Sequence, residues 1–174
     1  MTPTPHGLLK WDIAEVARAL KLKEGDVRLY FTDGRRVSFL LERRICAEVV
    51  HGTLAPSEGA GYDLIDSSGR HWEVRSITKS GIYFCPSYMV GSGRSFEEGG
   101  FLAKLRDVEG YIVSDVESFP DVPYWIVPKT SVESWWRGGS LGSATKVTRD
   151  SMFRLLRTLP PNHALQRTAA PLSA

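Results

Sequence analysis

The run GYDLIDSSGRHWEVRSI, residues 61–77, constrains the fold most. YDLID alternates apolar and polar residues and ends at the turn sequence SSGR. HWEVRSI is the returning strand. Trp72, Val74 and Ser76 fall on one face of it, and Glu73, Arg75 and Ile77 on the other. An isolated hairpin is marginal in water. The rest of the chain must therefore supply further strands or helices to cover it.

Apolar periodicity supplies candidates. Segment 12–22 places Ile13, Val16, Ala17 and Leu20 on one helical face, with Asp12 as N-cap. Segment 26–42 reads as two strands joined at Asp33-Gly34, a strong hairpin signal. Segment 41–52 reads as a helix with Ile45, Val49 and Cys46 inward and Gly52 as its stop. Residues 53–61 read as a loop. Residues 81–90 read as a strand interrupted at Pro86.

Further on, 96–110 is helical in its second half and 110–116 is a buried strand. Residues 124–128 form another strand. Residues 130–139 read as a helical turn capped by Thr130, with Glu133 three residues on. Residues 148–159 form a last helix. This order implies an α/β fold, a mixed central sheet flanked by helices, in a single domain over residues 1–159.

Composition agrees with a globular fold: 42% of the 174 residues are apolar. No stretch approaches the roughly 20 apolar residues of a membrane helix. The first residues lack a basic segment followed by an apolar run, so no signal peptide is expected. Cys46 and Cys85 lie in apolar runs, suiting core positions in a reducing cytoplasm. The scattered histidines give no zinc-ligand spacing.

Net charge is +2, but unevenly placed. Residues 59–136 hold 7 basic and 11 acidic residues, and residues 137–174 hold 6 basic and 1 acidic. The basic end suits contact with an anion such as nucleic acid, or is simply solvated.

The acids of the hairpin suggest phosphodiester chemistry. A hard divalent cation polarises a phosphate, activates water and stabilises the leaving oxygen. Magnesium takes oxygen ligands, commonly one or two protein carboxylates. Acids on adjoining strands can meet at one metal. Asp63 and Glu73 are so placed, Arg75 shares the face of Glu73, and the Val74 carbonyl is a natural extra ligand. The alternative is a surface hairpin whose charges form cross-strand ion pairs.

The pattern D-x9-E-V-R within GYDLIDSSGRHWEVRS resembles the PD-(D/E)XK nuclease superfamily, and most closely its PvuII-type restriction endonucleases. The resemblance implies a restriction-endonuclease-like fold and an Mg2+-dependent DNA endonuclease, with Mn2+ as a possible substitute. It places Asp63 and Glu73 as metal-binding acids and Arg75 at the family's lysine. Glu58 matches an auxiliary acid, and Glu48, then Glu42, an acid on the preceding helix. It further implies double-stranded DNA as partner and a homodimer for symmetric sites. Asp66 is expected to serve the turn or stand behind the metal ligands.

Arginine departs from the family pattern, since it keeps its proton at neutral pH and is planar and bulkier than lysine. A nuclease fold that binds without cutting, or an unrelated small-molecule-binding protein, are therefore alternatives.

Lys79, Arg94 and Ser95 are candidates for DNA contact, the last two on the glycine-rich segment 85–96. Lys104, Lys146, Arg149 and Arg154 are weaker ones. One of Trp135 and Trp136 is expected in the core, the other at a dimer contact, a ligand or the tail. The tail, 160–174, lacks an apolar pattern and is expected to be unpacked. Its ALQRTAAPLS resembles the translated edge of an integron cassette recombination site, implying a mobile bacterial gene cassette.

Overall fold

A computed structural model of the chain describes residues 2–57 and 59–160. The tail from residue 161 and Glu58 lie outside the described residues. The strands are β1 (Gly7–Lys10), β2 (Thr53–Leu54), β3 (Leu64–Ile65), β4 (His71–Ile77), β5 (Ile82–Tyr83), β6 (Gly110–Asp115), β7 (Asp121–Pro128) and β8 (Lys146–Val147). The helices are α1 (Ile13–Leu20), α2 (Glu24–Phe31), α3 (Gly34–Ile45), α4 (Glu98–Asp107), α5 (Lys129–Arg137) and α6 (Arg149–Leu156).

Six strands form one mixed sheet in the order β1-β7-β6-β4-β3-β2. Only β4 and β6 run parallel, with Glu73 opposite Tyr111 and Arg75 opposite Val113. A parallel pair needs a crossover, and the segment carrying β5 and α4 makes it. β5 and β8 form a separate small antiparallel pair.

The alternation read in residues 71–77 divides the core. Trp72 and Val74 pack with Leu64, Ile112 and Ile126 under α1, α2 and α3. Ile77 packs on the opposite face with Tyr111, Val113, Trp125 and the apolar sides of α4, α5 and α6. β6 is buried along its whole length, as a central strand covered on both faces must be. Cys46 and Cys85 are buried and free. Among the described residues no helix is long and apolar enough to cross a membrane.

The hairpin expected at Asp33-Gly34 is instead the junction of two helices. The Asp33 side chain accepts hydrogen bonds from the backbone of Arg35 at 3.0 Å and Arg36 at 3.3 Å, capping α3. Val37, Leu41 and Ile45 then fall on one buried helical stripe. Asp-Gly serves a two-residue hairpin or a helix start equally well, and the i, i+4, i+8 spacing decides for the helix.

α3 continues as a π-helical turn, Cys46–Val50, which ends at His51 in the left-handed region rather than at Gly52. Gly52 instead allows a close approach. A Cβ there would lie 1.9 Å from the Ile65 carbonyl oxygen, so only glycine lets this turn come up against β3.

Other differences are local. Leu20, expected inward, is exposed, while Ala17 is buried. Residues 53–54 are a short strand rather than loop. The 81–90 segment keeps only the two-residue β5 before a 3-10 turn at Ser87–Met89. α5 starts at Lys129 after Pro128 without a side-chain cap, so Thr130 is not the cap. Glu133 instead pairs with Arg137 one turn on, at 2.6 Å. Trp135 is core, and Trp136 packs on Phe96 and Phe101 of its own chain.

Candidate metal and phosphate site

Asp63 is fixed by the sheet just before β3. Its N–H donates to the Trp72 carbonyl at 3.0 Å, and its own carbonyl accepts from Ala55 at 2.8 Å. These bonds turn its side chain towards β4, where Oδ2 accepts the Val74 N–H at 2.8 Å. Glu73, the neighbour of Val74, is only 3% exposed. Both residues line one groove of about 1800 Å3.

The charges in this groove are tightly interlinked. Arg75 Nη2 lies 2.5 Å from Glu73 Oε1. Lys104, reaching over from α4, forms an ion pair with Glu73 Oε2. Arg75 also donates to the Val74 carbonyl at 3.2 Å and the Cys85 carbonyl at 3.3 Å. Its guanidinium therefore touches two of the three groups expected to hold a metal.

The electrostatics follow from this crowding. Burial pushes the Asp63 carboxyl up, and the Glu73 charge adds to the shift against Arg75, the Val74 N–H and Lys104. Glu42 is pushed up to about 7, by burial first and then by Asp63 and Glu73, against Arg43 and Arg75. Burial alone would lower the pKa of Arg75, but the Glu73 and Asp63 charges outweigh it and drive the pKa up. Burial raises the Tyr111 hydroxyl behind it.

Glu42, not Glu48, is the α3-side acid that shares the groove. Glu48 is exposed in the π-helical turn and pairs with Arg44 at 2.9 Å, which holds its carboxyl below the usual range. Arg44 in turn donates to the Lys10 carbonyl at 3.0 Å, tying this pair towards β1. The expectation for Glu48 is thus corrected. Two acids on one helix differ in register, and only the one beside Leu41 faces the groove.

Asp66 anchors the turn. It accepts from Ser68 N at 2.8 Å, Arg70 N at 3.0 Å, Arg70 Nε at 2.8 Å and Trp72 Nε1 at 2.9 Å. Burial would raise its carboxyl, but these donors together hold it below its usual value.

The candidates for DNA contact separate. Lys79 and Arg94 are exposed and line the groove. Arg94 also closes its own loop, donating to the Ser87 and Val90 carbonyls at 2.9 and 3.2 Å. Ser95 is exposed beside it. Arg149 is bound to the buried Asp115 at 2.6 Å, and Arg154 donates to Ser151 at 2.8 Å. Lys146 stands over the Tyr83 ring at 5.4 Å. The sequence ranked Lys104 among weak candidates. Its flanking core residues, Phe101 and Leu105, were the signal that it sits on a packed face near the sheet.

Among the described residues, no three His, Cys, Asp or Glu side chains cluster closely enough to hold a metal by themselves. The oxygens a hard cation would draw on here are those of Asp63, Glu73 and the Val74 carbonyl, and Arg75 already contacts two of these groups. Besides burial, the Glu73 charge raises both Asp63 and Glu42, and a bound divalent ion would relieve that repulsion. Compared with protein-family models, curated proteins and solved structures, the chain matches none.

Proposed function

We propose that the protein is an Mg2+-dependent endonuclease of the PD-(D/E)XK kind, hydrolysing phosphodiester bonds of double-stranded DNA. The observation that carries this reading is the convergence of Asp63 and Glu73, from adjoining stretches of the sheet, on one groove with cationic side chains on its walls. Asp63 and Glu73 would hold the cation, with the Val74 carbonyl beside them and Glu42 as auxiliary acid. When bound, the ion polarises the phosphate and makes water a better nucleophile.

Arg75 orients Glu73 by its contact with Oε1, and the Val74 N–H fixes Asp63. Lys79 and Arg94 supply charge to the phosphate backbone. A homodimer belongs to this reading, because a two-fold symmetric duplex site calls for two symmetric centres. Supercoiled plasmid incubated with Mg2+ or Mn2+, beside Asp63→Ala, tests it. The expected result is nicking by the native chain alone. Equal nicking by both proteins contradicts the reading.

One observation favours a second reading, a nuclease fold that binds DNA without cutting it. Arg75 already contacts Glu73 Oε1 and the Val74 carbonyl, and an arginine cannot give way by losing its proton. Duplex binding without cleavage in either metal would support this reading.

A further inference from the structure

Two cations meet Glu73, and they are not equivalent. Arg75 is bound in three directions. Its Nη1 donates to the Val74 carbonyl, and its Nη2 serves both the Cys85 carbonyl and Glu73 Oε1. These bonds tie both terminal nitrogens of the planar fork to its own strand and the segment after β5. Lys104 pairs with Glu73 Oε2 from α4 and lines the same groove. An ammonium carries three N–H donors on a flexible stem. One directed at Glu73 leaves two that the stem can re-aim at an incoming anion, whereas the two N–H groups left on Arg75 are held in place by its three contacts.

We propose that Lys104, rather than Arg75, is the side chain that grips the phosphate beside the reacting bond, and that Arg75 is a positioning residue for Glu73 and the Val74 carbonyl. The proposal rests on the nuclease reading of the same groove, but the phosphate contact is measurable without cleavage. The Lys104 ammonium donates to a non-bridging phosphate oxygen while keeping its contact with Glu73. No proton or bond changes hands in this contact. Its effect is to fix the phosphate against the carboxylate pair and neutralise its charge.

The test is duplex binding in Ca2+ over a salt series, for the native chain, Lys104→Gln, Lys104→Arg and Arg75→Gln, with thermal melts confirming that each is folded. Each phosphate contact contributes about 0.9 to the slope of log affinity against log salt. Lys104→Gln is expected to lower the slope by about one contact, Lys104→Arg to restore it, and Arg75→Gln to lower it by clearly less than Lys104→Gln, whatever its effect on affinity. A merely structural role for Lys104 would not move the slope selectively. An unchanged slope in Lys104→Gln, a loss equal to it in Arg75→Gln, or no duplex binding by the native chain overturns the proposal.

Plasmid nicking scored in parallel separates the two claims. The expected slope change without nicking in Mg2+ or Mn2+ retains Lys104 as the phosphate contact and removes only the nuclease reading. Nicking with an unchanged slope removes only the Lys104 assignment.

Discussion

Arg75 and Glu73, two residues apart on one strand face, are joined at 2.5 Å, and the same guanidinium reaches the Val74 carbonyl. The side chain that departs from the nuclease pattern thus contacts groups that the pattern assigns to metal. Removing it has two expected effects. Arg75→Ala loses three contacts in a buried setting and destabilises the protein by about 2 kcal/mol, less than a fully orphaned buried charge because Lys104 still faces Glu73. It also removes a positive charge competing for the site, so Mn2+ binds several-fold more tightly. Urea denaturation and calorimetric titration check the two effects separately.

Glu42 gives the metal-free protein a pH dependence. Its folded pKa, about 7, lies above the ordinary 4.5. A carboxyl raised on folding favours the neutral form, so its contribution is fully present below the ordinary value and is lost as pH rises through about 7. After allowance for its partial exposure, the loss is about 1–2 kcal/mol. Thermal melts in chelator between pH 5 and 8 should fall more steeply for the native chain than for Glu42→Gln. Parallel curves would show that folding does not raise the Glu42 carboxyl.

Asp66 behaves oppositely. Four donors hold its carboxyl below the usual value, so its contribution is present above the unfolded pKa and is lost as pH falls through the folded one. Asp66→Ala leaves the Trp72 indole N–H and turn amides without their acceptor, at a cost of about 2–3 kcal/mol. The variant should also show a flatter loss of stability below about pH 4. Urea titrations across the acid range measure both.

Where neighbouring residues pack each other, the sequence was readable. The alternation around Trp72, Glu73, Val74 and Arg75 matches the observed division of faces, and the apolar run at 110–116 is the buried β6. The reading failed at Asp33-Gly34, where a turn dipeptide outweighed the helical spacing of Val37, Leu41 and Ile45. That Asp63 and Glu73 line one groove was legible because one hairpin joins them. The meeting of Lys104 with Glu73 was not, because it depends on how α4 packs after the crossover between β4 and β6. The choice of Glu42 over Glu48 depended likewise on the helical register of α3 and the π turn after it.

The proposed function requires Asp63 and Glu73 together to hold a divalent cation. Calorimetric titration of Mn2+ into the native chain, Asp63→Ala and Glu73→Gln near pH 8 tests it most directly, since ionised carboxylates bind metal best. The expected result is a saturable site in the native chain, weakened at least tenfold in each variant. No Mn2+ binding by the native chain, or binding unchanged in both variants, would contradict it.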